Sequence, residues 1–158
     1  MSRFGLRIAR LFGQRLPSFR SLDEAKKQLF EERDCRIAKL KALTPTVYFI
    51  PDETPESLKG MEEWYFKLHE SDGFRQLGVT RQDFERCMAT YFCHVAVANC
   101  SDAEWHVSEY AFQPGKYEIG VRRGALTLNR SSFEDHYAKP GNLTRKAIFR
   151  EYQRYFGR

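Results

Sequence analysis

Apolar positions recur at helical spacing over the first part of the chain and at strand spacing later. In the opening segment Phe4, Ile8, Leu11, Phe12 and Leu16 fall on one side of a helix. Arg3, Arg7, Arg10 and Gln14 fall on the other, and Arg15 intrudes on the apolar edge. Pro17 stops this helix, because a proline has no N–H to donate and forces the preceding residue toward extended geometry. Ser21-Leu22-Asp23-Glu24 predicts a capping box. The helix it opens runs to about Leu43, with Leu22, Ala25, Leu29, Ile37 and Leu40 toward one side. Residues 46–50, between Pro45 and Pro51, read as a short strand or a buried extended linker. Thr54-Pro55 opens a helix striped by Leu58, Met61, Trp64, Tyr65 and Leu68, which Ser71-Asp72-Gly73 ends. Thr80 starts another, carrying Phe84, Cys87, Met88 and Tyr91.

The period then changes. Residues 92–99 (FCHVAVAN) predict a strand buried on both faces. Residues 105–110 and 116–123 predict two more strands, split by Pro114-Gly115, and Gly124 then leads to Ala125-Leu126-Thr127-Leu128. Leu143-Thr144 opens a terminal helix with Ile148, Phe149, Tyr152, Tyr155 and Phe156 on its apolar side. N-terminal helices, a small antiparallel sheet and a C-terminal helix make an α+β order. The expected organisation is a basic amphipathic arm over residues 1–20 and one α+β domain over residues 21–158.

Composition supports a packed core, since 158 residues carry 13 Phe, 8 Tyr and 2 Trp. Charge adds a sharper point. The chain has 26 basic and 21 acidic residues, and five of the basic ones lie in the first 21 positions, where there is no acid. The pI near 9.1 therefore describes the arm and not a basic domain. Within the body, residues 22–112 hold 11 basic and 17 acidic side chains, and residues 113–158 hold 10 and 4. Such halves either complement each other across the fold or present a dipolar docking surface.

The arm has three readings: a helix on an anionic membrane surface, a mitochondrial transit peptide, or a stripe packed on the body. Its arginines interrupt every apolar run a secretory signal would need. With four cysteines (Cys35, Cys87, Cys93, Cys100), that points to free thiols in a reducing intracellular compartment. The cytoplasm is the expected place, or the mitochondrion in a eukaryote.

Candidate chemistry is sparse. Cys87, Cys93, His94, Cys100 and His106 crowd together without the C-x-x-C or H-x3–5-H spacing of a zinc site, so no metal and no cofactor is expected. A cysteine paired with a distant histidine has no spacing that singles it out. The run Glu134-Asp135-His136-Tyr137 reads as a polar surface turn. Glu62 and Glu63 point about 100° apart on a helix, so they are not a catalytic carboxylate pair. With Trp64 they are instead the expected protein-docking residues of the acidic half. Arg3, Arg7 and Arg10 are the expected anion- or membrane-binding residues. Arg122, Arg123, Arg150 and Arg154 are the alternative, a nucleic-acid face, with Arg130, Lys139, Arg145 and Lys146 nearby.

The segments Tyr91-Phe92-Cys93-His94-Val95-Ala96-Val97, Ala103-Glu104-Trp105-His106-Val107 and Tyr117-Glu118-Ile119-Gly120-Val121, followed by a helix ending in Tyr155-Phe156, carry a resemblance. Together they resemble small bacterial α+β proteins of unknown function, several of which are encoded near polymorphic toxins and regarded as immunity-like. The resemblance covers roughly residues 54–156 and leaves out the arm. It implies a protein partner and brings no catalytic residue. The expected function is thus a non-enzymatic protein-binding domain. A membrane- or organelle-associated accessory protein and an RNA-associated protein are the alternatives.

Overall fold

The computed structural model describes residues 3–44, 49–129 and 147–157, with side chains from residue 9 onward. The elements are α1 (Arg3–Gln14), α2 (Leu22–Leu43), α3 (Ser57–Glu70), α4 (Gly73–Gln76), α5 (Arg81–Asn99), β1 (Ala103–Glu109), β2 (Tyr117–Arg123), β3 (Leu126–Asn129) and α6 (Ala147–Tyr155). The α+β order expected from the sequence is the one observed.

Local chemistry explains most of the starts and stops. Ser21 Oγ accepts the Glu24 N–H at 3.2 Å, and Glu24 reaches back to the Arg20 N–H at 2.8 Å. One donor left open at the start of α2 is thereby satisfied, together with the N–H of the residue just before the cap. Thr80 does the same for α5, accepting the Asp83 N–H at 3.0 Å. Thr54 closes the turn before α3, its Oγ1 accepting the Ser57 N–H at 3.3 Å. Ala25, Leu29, Ile37 and Leu40 of α2 are buried as the stripe predicts, whereas Leu22 is exposed. Of the residues 46–50 element, only Phe49 and Ile50 are described. Neither is in a strand, and Phe49 is buried while Ile50 is exposed.

The principal correction concerns residues 92–99. They form no strand; α5 continues through them to Asn99. The helix is enclosed along most of its length, so Phe92, Cys93, Val95 and Ala96 are all buried. A helix enclosed on several sides has little polar face, and its apolar run mimics a doubly buried strand. α5 is the centre of the fold and packs on α2, β1, β2 and α6. An aromatic chain fixes α3 and α4 to it: Trp64 meets Phe84 edge-on at 5.1 Å, and Phe74 lies 5.5 Å from Phe84. At the other end Phe92 meets Tyr152 and Phe156.

The sheet is antiparallel in the order β1-β2-β3. Strand alternation sends Ala103, Val107, Tyr117, Ile119 and Val121 inward, and all are buried. Ala25 and Leu29 of α2 close over Val107, Tyr117 and Ile119 as a second small core. The opposite, outer face therefore carries Glu104, His106, Ser108, Glu118, Gly120 and Arg122. Pairing sets Glu104 against Arg122, His106 against Gly120 and Ser108 against Glu118. Gly120 is buried because β3 crosses close over it: a Cβ there would fall on the Leu128 carbonyl oxygen. That approach admits only glycine.

Candidate functional site

The arm rests on the end of the outer sheet face. Tyr110, one residue beyond β1, donates its hydroxyl to the Ala9 carbonyl at 3.2 Å and meets the Phe12 ring edge-on at 5.4 Å. Gly13 is buried against Tyr110 and Gln113, and a side chain there would displace the Gln113 amide. Lys116 Nζ donates to the Leu16 carbonyl at 2.8 Å. Beyond Pro17 the chain runs beside the β1–β2 connection. There Phe19 N–H donates to Gly115 O at 3.0 Å, and Tyr117 N–H to Pro17 O at 3.1 Å.

Among the described side chains, this seating uses one edge of the apolar stripe. Leu16 and Gly13 are buried and Phe12 is half-buried, but Leu11 is 54 % exposed. Phe112, 45 % exposed, stacks edge-on against Tyr110 at 5.5 Å. Arg10, Gln14 and Arg15 are exposed around them. The side chains of Arg3 and Arg7 lie outside the described residues.

Behind the arm, burial pushes the Glu118 carboxyl above the usual carboxylate range, although the Asn129 amide opposes the shift. Burial also raises the Tyr110 hydroxyl, and the Glu118 charge adds to it. His106 is held below the ordinary histidine range, first by burial and then by the positive charge of Arg122.

A second polar cluster ties the loop before α3 to α2 and α5. Glu53 has left-handed backbone, φ 67°, which is strained for a residue with a side chain. Its carboxylate takes Lys41 Nζ at 2.7 Å and lies 3.2 Å from His94 Nε2. Its N–H donates to the Tyr91 hydroxyl at 2.9 Å, and its carbonyl accepts from Asn99 Nδ2 at 2.7 Å. Ser57 Oγ lies 2.9 Å from the same Tyr91 hydroxyl. Every polar group of Glu53 is thus held, which is what maintains its strained conformation.

The docking residues expected in the acidic half are not assembled on a surface. Glu62 and Trp64 are interior, 1 % and 2 % exposed, and only Glu63 faces outward. Glu62 accepts the Ala147 N–H, and Trp64 packs on Phe84 and Phe49. The arginines of the nucleic-acid alternative divide. Arg122 pairs with Glu104, and Arg123 with Asp102 and the Tyr155 carbonyl. Arg150 and Arg154 are exposed on α6, Arg154 over the Tyr155 ring. The acidic and basic halves therefore meet across the β1–β2 pair. Arg130, the 134–137 run, Lys139, Leu143, Thr144, Arg145 and Lys146 lie outside the described residues. Cys87, Cys93 and Cys100 are buried and Cys35 is exposed. Burial raises the Cys87 and Cys100 thiols away from the reactive thiolate. Among the described residues no helix is long and apolar enough to cross a membrane.

The family model described as uncharacterised protein YwmA matches residues 18–156. The chain belongs to this family. No curated protein and no solved structure matches it. The YwmA match spans α2 to α6 and begins just after the arm's last buried side chain, Leu16. It therefore covers the segment 18–19 that pairs with the β1–β2 connection but not the α1 helix itself.

Sequence reasoning had no means of finding the outer face. Pairing register sets Ser108 opposite Glu118 and Asn129 opposite Gly120, and register is not readable from one strand at a time.

Proposed function

We propose that the protein is a non-enzymatic docking domain that its N-terminal arm holds against an anionic lipid surface. One observation carries this reading: where the side chains of α1 are described, Leu11 is exposed beside the exposed Phe112 and among exposed arginines. Sequence periodicity sets Phe4 and Ile8 on the same side of the helix as Leu11. A basic helix with aromatic and aliphatic residues to one side lies in the plane of a membrane interface, gaining from apolar burial and from attraction to acidic headgroups. Five arginines without one acid in the first 21 residues match that surface in charge.

The test is co-sedimentation of the full chain with vesicles. Phosphatidylglycerol-containing vesicles should retain it at low salt and release it at high salt, and pure phosphatidylcholine vesicles should not retain it. Leu11→Asp with Phe112→Asp should abolish retention while leaving the fold intact, because both side chains are exposed. Retention unaffected by those substitutions, or equal on both vesicle types, overturns the reading. A single stoichiometric protein captured from a nuclease-treated lysate through the same two residues would replace the lipid with a protein partner.

A further inference from the structure

The long helix α2 presents a face that the rest of the chain leaves exposed. Gln28, Glu31, Cys35, Lys39 and Ala42 are all exposed on it. At about 100° per residue they fall within about 40° of Cys35 on either side, as one stripe along the helix. The buried stripe of Ala25, Leu29, Ile37 and Leu40 lies toward the core side.

Two residues of the exposed stripe carry opposite charges and are unpaired. Among the described residues, Glu31 and Lys39 enter no ion pair and no hydrogen bond, while nearby charges of the same helix do. Arg36 holds Glu32 at 3.0 Å, and Lys41 holds Glu53 at 2.7 Å. Glu31 and Lys39 stand two turns apart, about 12 Å along the axis, so they cannot reach each other within one helix.

The stripe reads the same from both ends, with spacings of three, four, four and three residues. An antiparallel copy turned about Cys35 therefore sets Gln28 opposite Ala42 and Glu31 opposite Lys39. A two-fold contact is self-complementary, so the Glu31–Lys39 pair forms twice. Moving the axis about half a turn toward the N-terminus would set Lys27 against Lys39, and like charges oppose that register. With the helix axes about 10 Å apart, the two Cys35 Cα atoms stand about 5 Å apart, a space that a thiol fills and a long side chain does not. A uniformly acidic or basic partner would repel one end of the stripe. A second copy complements both ends at the required spacing.

We propose that this face of α2 is a contact between two copies of the chain, antiparallel about a two-fold axis at Cys35, with Glu31 of each copy on Lys39 of the other. The contact is independent of the lipid-docking reading, which uses none of these residues.

The experiment is analytical ultracentrifugation of the full chain over a dilution series at low salt. The parent is run beside Glu31→Lys, Lys39→Glu and the double substitution, with circular dichroism to show that each is folded. The parent should show a monomer–dimer equilibrium. Either single substitution sets like charges together twice and should weaken dimerisation by about tenfold. The double substitution reverses both signs and should restore it. Cys35→Lys brings two ammonium groups together on the axis and should also weaken the dimer, which decides the matter if a variant at 31 or 39 does not fold. A parent chain that stays monomeric up to about 1 mM overturns the proposal, whatever else is then found to bind α2. So does a dimer that the single substitutions leave unchanged, or one that the double substitution fails to restore.

Discussion

Glu62 and Ala147 join the early helices to the end of the chain: the buried Glu62 carboxylate accepts the Ala147 N–H at 3.0 Å. Ala147 is the first residue of α6, whose opening N–H groups have no partner within the helix. A carboxylate placed there also faces the positive end of the helix dipole. Glu62→Ala should therefore lower unfolding stability by about 1–3 kcal/mol, the cost of leaving a buried donor open. Glu62→Gln, which keeps an acceptor, should lose less. Urea unfolding of the two variants beside the parent chain checks both.

Gly120 is a second point at which one side chain decides local structure. Gly120→Ala places a methyl group on the Leu128 carbonyl oxygen, which is backbone and cannot swing aside. Overpacking of this kind costs about 1–3 kcal/mol. β3 is the shorter of the two edge strands, four residues against seven in β1, so it should separate first. Faster amide exchange in residues 126–129, with β1 unchanged, is the expected signature.

The Glu53 cluster makes an acid-sensitive contact. Its carboxyl is held below the ordinary value of 4.5 by the hydrogen bond from Lys41 first and by His94 second. A depressed folded pKa means that the ionised form favours the fold. That stability is present above the unfolded value and is lost as pH falls through the folded one. Glu53→Gln should thus be less stable than the parent at neutral pH, and the two should converge in acid. Thermal melts over an acid pH series measure this, and parallel curves for parent and variant would refute it.

Glu118 behaves in the opposite sense. Burial raises its folded pKa, so the neutral carboxyl favours the fold. Its stabilising effect is complete below the unfolded pKa and is lost as pH rises through the folded one. Glu118→Gln should equal the parent in acid and exceed it in stability at about pH 8.

The capped helices were the most legible part of the sequence. Ser21 and Thr80 announce α2 and α5 because their hydroxyls stand three residues before the N–H groups they accept. The second half of α5 was not legible as helix, since its burial erases the polar face on which periodicity depends. The signal that was available is the uninterrupted spacing Phe84, Met88, Phe92, Ala96, with no Gly or Pro between Thr80 and Asn99. Glu62 was misplaced for a related reason. It sits one turn from Leu58 and three residues before Tyr65, hence within the buried stripe, and its charge outweighed that position in the reading. The make-up of the outer sheet face depends on which strand residues stand opposite one another, and that is settled only when the chain has folded.

The central position of α5 bears on how the chain is made. Its partners α2, β1, β2 and α6 lie on both sides of it in the sequence, and the Phe92 ring is covered by Tyr152 and Phe156 of the last helix and its C-terminal turn. During synthesis α5 leaves the ribosome well before the helix that completes its enclosure. The nascent chain must therefore carry an open apolar helix until α6 has been made, a condition that invites aggregation or chaperone capture. A stop codon before α6 should accordingly yield an insoluble product and not a shortened, working domain.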